Sequence, residues 1–451
     1  MNAELHPVKM SRLATLKKAL DQGTGRQVQR LVNSLHPAEI ASLLESLPRA
    51  QRELVWELVD PEFEGDVLVE LNEEVRADLI REMDDEELVA ATEGLEVDDL
   101  ADLLADLPEA VNQRVLRSMD AQDRERLKAV LAYDADTAGG LMNTDTVSVR
   151  PDVTLETVLR YLRMRGELPE KTDSLFVVNR YDRYLGTLAL PRLLTEDEER
   201  TVGEVMDATL EGIAPATPAG KVASLFQDRD LLSAPVVGTD GRLLGRITVD
   251  DVVDVIREEA DHSVMSMAGL DEEADMFADV VPSARRRGVW LGVNLATAFL
   301  AAWVVGLFES TIKSIVALAV LMPIVASMGG VAATQTLTLI VRGLALGQVE
   351  RANARWLMIR EIAVALLNGL AWATVVALLA LAWFRNWRIA GVIFAAMVIN
   401  LIAAALAGVV VPLTMKRLGI DPAVAGGVVV TTVTDVVGFA SLLGLGTLVL
   451  L

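Results

Sequence analysis

The last thirty residues, PAVAGGVVVTTVTDVVGFASLLGLGTLVLL (422–451), decide the fold of this chain. They are long and apolar enough to cross a bilayer as one helix. Near their middle stands Asp435, the single ionisable side chain of the run. A carboxylate at the centre of a membrane helix costs about 2.5–3.5 kcal/mol on insertion scales, so its first reading is an ion or proton site.

Working outward, four more apolar stretches precede this one, at 289–308, 315–341, 362–384 and 389–415. Each reaches the length of a membrane span, and Asp435 is the one ionisable residue well inside any of them. Arg285–Arg287, the second loop (Arg342, Arg351, Arg355, Arg360) and the fourth (Lys416, Arg417) carry nine basic residues. The first and third loops carry three, Lys313, Arg385 and Arg388. That bias predicts a cytoplasmic N-terminus and an external C-terminus.

Two spans are unlike lipid-facing helices. The second carries Pro323, Ser327, Gly329, Gly330, Thr334, Gln335, Thr336 and Thr338. The last carries Gly426, Gly427, Thr431, Thr432, Thr434, Asp435, Gly438 and Ser441. Small residues allow close helix contact, and hydroxyls and amides offer oxygen ligands or interhelical hydrogen bonds. One carboxylate makes a meagre pore, but a two-fold dimer would bring two Asp435 side chains together. Paired carboxylates suit a divalent cation, and Mg2+ keeps its waters where hydroxyls and carbonyls surround it.

The charge is divided. Residues 283–451 carry 12 Lys+Arg against 5 Asp+Glu, and residues 1–282 carry 29 against 59. So acidic a soluble half argues against nucleic-acid binding, which needs a basic footprint, and it attracts cations. The chain has no cysteine, so disulfides and thiolate metal sites are excluded. The N-terminus has no apolar signal core, so the first domain is expected to stay in the cytoplasm. No nucleophile–base pairing or phosphate loop points to an enzyme.

Residues 1–133 read as helical throughout, with a recurring pattern at 44–60, 68–84 and 104–120 whose copies end in an apolar residue followed by Asp. Stacked helical hairpins are the natural reading. Asp98, Asp99 and Asp102 cluster within it. From 134 to 260, short β-branched runs alternate with helical stretches in two copies opened by Met142 and Met206. These tandem units resemble a pair of CBS domains. The second copy carries Gly245-Arg-Ile-Thr248-Val-Asp-Asp251, similar to the adenylate-binding pattern of that family, so Thr248 and Asp251 are candidate contacts for ATP or another adenine nucleotide. The acidic stretch from Val249 to Met276 reads as one or two amphipathic helices, and residues 261–288 as the connection into a pore domain at 289–451.

The order of parts resembles the MgtE family of magnesium channels. The residues that carry the likeness are Phe308-Glu309, Met322-Pro323, Ser327-Met-Gly329-Gly330, Gln335-Thr336, Arg342, Leu418-Gly-Ile-Asp421-Pro422 and Thr434-Asp435-Val-Val-Gly438. The resemblance implies a multi-domain membrane protein: an all-α superhelical N-terminal domain, an α/β CBS pair and five transmembrane helices. It further implies a homodimeric Mg2+ channel of a bacterial-type inner membrane, its path lined by the second and fifth spans. Gly329, Gly330, Gln335, Pro323, Thr434 and Gly438 then accompany Asp435 along that path. A regulatory Mg2+ role falls on Asp251, Asp254, Glu258 and Glu259, with Asp98, Asp99 and Asp102 across from them. Where relatives place Asn after the glycine pair this chain has Val331, and where they place Asn-Pro before the aspartate it has Gly427-Val428. Two alternatives stand beside this reading. One is a proton- or sodium-coupled divalent-cation transporter, and the other is a membrane-anchored adenylate sensor.

Overall fold

The computed structural model describes residues 25–270, 275–345, 347–349 and 352–451. Two compact units emerge, Met1–Glu259 with Glu273–Asp279, and Ala260–Glu272 with Val280–Leu451.

The first unit begins with short helices, α1 (Gly25–Val32), α2 (Pro37–Glu45), α3 (Arg49–Trp56), α4 (Glu64–Val69), α5 (Glu73–Ile80), α6 (Asp85–Ala91), α7 (Val97–Asp106), α8 (Glu109–Ser118) and α9 (Ala121–Val130). Prolines and capping side chains set their lengths. Pro48 and Pro108 stand at N-caps, while Asn72, Asp84 and Asp120 accept hydrogen bonds from the first free N–H groups of α5, α6 and α9. Such caps satisfy donors that a helix start leaves unpaired. The apolar faces close over a core holding Ile40, Leu44, Leu68, Leu79, Leu103 and Leu127.

The repeated half follows. β1 (Ser148–Val149) pairs parallel with β2 (Ser174–Val178), which pairs antiparallel with β3 (Tyr184–Ala189). β4 (Ser233–Val237) and β5 (Leu243–Thr248) form the antiparallel pair of the second copy. The strand expected at 212–214 is reduced to one parallel bridge, Ile213 to Val236. The copies meet at equivalent positions, with the hydroxyls of Ser174 and Ser233 3.3 Å apart. The second copy shares the core of the helical domain through Ile213, Val222, Phe226, Ile247 and Val252, whereas the first keeps a core of its own.

A single connecting helix, Val249–Met267, leaves β5 without a break. It starts well before residue 261, so the expected boundary at 260 falls inside it. Further on, the chain returns to the first unit. Asp275 pairs with Arg52 at 2.7 Å, and both side chains are almost wholly buried. The Asp275 N–H donates to Glu74 at 2.6 Å.

Among the described residues of the second unit five helices are long and apolar enough to cross a membrane: Val280–Gly306, Val316–Ala345, Ala354–Phe384, Trp387–Arg417 and Gly426–Leu450. They match the five expected spans, and the first starts earlier than residue 289. The fourth is the most buried of them. Around it pack Leu318, Leu321 and Val325 of the second span, Ala373 of the third and Leu442 of the fifth.

Candidate ion path and acidic sensor

The second span has two different faces. Ala333, Thr336, Leu337 and Ile340 are buried, while Pro323, Ser327, Val331, Thr334, Gln335 and Thr338 are exposed. Spacings of three and four residues put the exposed set along one stripe, and from Ser327 to Thr338 it lines an open groove with Gly330 and Leu339. A polar stripe facing hydrocarbon would be costly, so this face belongs against water or a partner helix. The hydroxyls of Thr334 and Thr338 donate to carbonyls one turn back, at 2.9 Å each, which leaves their lone pairs available.

On the fifth span Asp435 is half-buried. Among the described residues its carboxylate meets no donor and no cation. Thr434 faces the protein interior, fully buried, its hydroxyl turned back to the Thr431 carbonyl at 2.9 Å. Gly329 and Gly438 are buried too, and both press on a residue that sequence reading passed over, Asn400 of the fourth span. A methyl at Gly329 would lie 2.2 Å from Asn400 Nδ2, and one at Gly438 would lie 2.8 Å from it. Of the glycines expected on the path, Gly330 is the one whose face is open.

Glu361 was also missed. It stands one residue ahead of the stretch 362–384, but the third span starts at Ala354 and carries Glu361 inward, 5% exposed. Thr336 donates to it at 3.3 Å and Arg360 pairs with it at 2.7 Å. The paired charge holds the buried side of the second span, away from the polar stripe.

The end of the connecting helix reaches these two spans. His262 Nε2 lies 2.5 Å from Asp421, which caps the fifth span. Met267 Sδ sits 3.9 Å from the Thr338 hydroxyl, and the Met267 carbonyl lies 3.8 Å from where a methyl on Gly427 would be. The Met267 side chain thus reaches the Thr338 end of the groove.

In the first unit, Glu96, Asp98 and Asp99 bring one carboxylate oxygen each within 4.8 Å of one another. α7 starts there, so its first turn turns adjacent acids to one side. The Asn143 amide donates to Glu96 at 3.2 Å and to Asp98 at 3.3 Å. Burial, then repulsion from Asp251 and its other acidic neighbours, pushes Asp98 up to about 8. Burial first and Asp251 second push Asp99 up to about 7. Asp251, raised to about 7 by burial and Asp250, takes hydrogen bonds from the Thr248 N–H and hydroxyl at 3.2 and 3.1 Å. Lys171 pairs with Asp250. Of the expected acids 98, 99 and 102, the first two share this cluster with Glu96, while Asp102 is exposed and feels the positive charge of Arg76. Asp254, Glu258 and Glu259 are exposed along the connecting helix. Asp254 faces Glu70, whose carboxyl is raised by burial and then by Asp254. Hard oxygen donors at this spacing suit a Mg2+ or Ca2+ ion.

Comparison with known proteins decides the lineage. A family model described as divalent cation transporter (MgtE) matches residues 322–445, the MgtE intracellular N domain matches 35–136, and the CBS domain matches 138–198 and 202–258. The magnesium transporter MgtE of Thermus thermophilus is 31% identical over 443 residues, 97% of this chain and 98% of that protein. The chain belongs to the MgtE family. The MgtE magnesium transporter of Bacillus subtilis is 26% identical over 95% of both chains. A crystal structure of the cytosolic domain of the Mg2+ channel MgtE in complex with ATP, 33% identical, covers 54% of this chain and 99% of that one at a TM-score of 0.49.

The crowded acids of this MgtE chain carry a pH dependence whose sign can be worked out. A carboxyl raised on folding favours the metal-free arrangement at low pH, and that contribution is lost as pH climbs from about 4 through the raised values. Bound cation needs the deprotonated form, so protons compete with it. The Mg2+-dependent rise in melting temperature of the first unit should therefore be small at pH 6 and large at pH 8.5, with its midpoint near 7–8. Calorimetry should show protons released on binding. A rise that is the same at both pH values would remove the cluster as the cation site.

Proposed function

We propose that this chain is a Mg2+ channel that works as a two-fold dimer, admitting Mg2+ to the cytoplasm along the polar face of the second span and past Asp435. The observation that carries it is the stripe Pro323, Ser327, Thr334, Gln335 and Thr338, exposed on one membrane helix, together with an acid on the fifth span that meets no protein partner among the described residues. A second copy facing this stripe would turn one polar face into an enclosed path. The family and its magnesium-transporting relatives support the choice of ion.

Gating follows from the two ends of the connecting helix. Its N-terminal acids stand by Glu96, Asp98 and Asp99, and its C-terminal end touches the second and fifth spans. Mg2+ bound among the acids, Asp251 included, fixes the helix and holds the path shut when the ion is plentiful. The domains are a helical part at 1–133, the CBS pair from 134, a connection that opens with the helix Val249–Met267, and a pore domain whose first span starts at Val280, in a bacterial-type inner membrane with the N-terminus inside and the C-terminus outside. The protein moves an ion without chemistry on it. Thr248 and Asp251 are the contacts proposed for an adenine nucleotide at the CBS pair, on the sequence Gly245-Arg-Ile-Thr248-Val-Asp-Asp251.

A chain without cysteine makes the test clean. Single cysteines at Ser327, Thr334 and Thr338 should react with a charged, water-borne thiol reagent, and Mg2+ should slow that reaction. Cysteines at Leu367 and Leu378, exposed apolar positions of the third span, should stay unlabelled. Equal labelling of both sets would overturn the path. A flux that stops when the proton or Na+ gradient is collapsed would instead support a coupled transporter.

A further inference from the structure

The fourth span, Trp387–Arg417, holds one polar side chain at its buried centre, Asn400, which is 1% exposed. Its Nδ2 donates to the Val325 carbonyl of the second span at 2.9 Å. A carbonyl can only accept, so this nitrogen is fixed as the amide donor. The Oδ1 atom is buried with no partner. Inside a membrane such an orphan is costly and calls for an explanation. The surroundings of the amide supply one. The second and fifth spans both present glycine to it, and no side chain fits at either place: a methyl on Gly329 would lie 2.2, 2.9 and 3.2 Å from Nδ2, Cγ and Oδ1. A methyl on Gly438 would lie 2.8 and 3.1 Å from Nδ2 and Cγ. Gly329 adjoins Gly330 of the groove. Gly438 lies one turn from Asp435, about 4.5 Å along the axis.

We propose that Asn400 is a positioning residue for ion selection. One amide touches both path-lining helices within one turn of Asp435 and sets their separation. Its hydrogen bond grips the backbone of the second span, which fixes the height and rotation of the polar stripe whatever side chains the stripe carries. Its width, received by the two glycines, fixes how close Asp435 comes to that stripe. A hydrated Mg2+ and a hydrated Ca2+ differ in size and in how readily they shed water, so this separation discriminates between them. The inference rests on the reading that the second and fifth spans line the path.

The test uses the full chain in proteoliposomes, with Mg2+ and Ca2+ entry followed by indicator dyes and folding by thermal melting. Gly329→Ala should cut Mg2+ entry by about tenfold or more, because its methyl meets the amide. Asn400→Ala should still conduct but lose about tenfold in the ratio of Mg2+ to Ca2+ entry. In the double variant Asn400→Ala/Gly329→Ala all three atoms that the new methyl would strike are gone, so Mg2+ entry should return to within about threefold of Asn400→Ala alone. Gly446→Ala is the control. Its methyl would lie 2.5 Å from Leu318, and Asn400→Ala should not rescue it. If Gly329→Ala yields no folded protein, the same relation is read from whether the double variant does. An unchanged ion ratio in Asn400→Ala, or rescue of Gly446→Ala as well, would overturn the proposal. Normal flux in Asp435→Ala would instead strike the path itself, while the rescue pattern in melting would stand or fall by itself.

Discussion

Replacing Asp435 by alanine is expected to lower Mg2+ entry into proteoliposomes by about 10²–10⁴-fold while the protein still folds. The carboxylate meets no donor or cation among the described residues, so its removal leaves no broken hydrogen bond behind. What is lost is the charge that faces the ion. Hydrogen bonds to a charged group contribute about 1.5–3 kcal/mol each. Two copies in a dimer lose about 3–6 kcal/mol, which is two to four powers of ten. Asp435→Asn keeps the shape and loses the charge, so it should fall close to alanine. Full flux through a folded Asp435→Ala protein would move the ion site elsewhere, with Glu361 the next acid to examine.

The second large effect is on stability. Arg52 is 1% exposed; its Nε donates to the Leu44 carbonyl, and its Nη2 to the Leu47 carbonyl and to Asp275. Arg52→Met removes all three bonds and strands Asp275 as a buried charge. Breaking a buried pair from one side costs about 3–5 kcal/mol. For a unit of this size that lowers the melting temperature by roughly 6–20 °C. Removing both charges, as Arg52→Met with Asp275→Leu, should recover most of the loss, because the pair itself adds little over apolar packing. Melting of the single variant within about a degree of the parent would show that the pair is not buried in solution.

The five spans and the repeated strands were legible because their signals are local and periodic. An apolar run of some twenty residues has one stable reading in a bilayer, and β-branched runs between turns have few. The stripe on the second span was half legible: its polar residues were plain, but which of them turn inward depends on the fourth span. Thr336, Gly329 and Gly438 look like path residues in sequence, and the fold buries all three, the glycines against Asn400 and the threonine against Glu361. Asn400 left no signal, since one amide in an apolar run is unremarked until its neighbours are known. Glu361 was hidden by the polar stretch before it, which concealed that the helix starts at Ala354. Glu96 was overlooked in favour of Asp102 because helical spacing cannot show which acids share a desolvated corner. The union of Arg52 with Asp275 is a pairing across most of the soluble half, and no local pattern announces it.

That pairing also sets a clock for synthesis. Arg52 and Asp275 are 223 residues apart in the chain. At about 5–20 residues per second, roughly 10–45 s pass between the making of one and the other. Through that interval the arginine's seat in the helical domain stands open to water. Asp275 is made five residues ahead of Val280, where the first span begins. The first unit therefore closes as the first membrane helix is leaving the ribosome, so its last folding step and the start of insertion fall within the same few seconds.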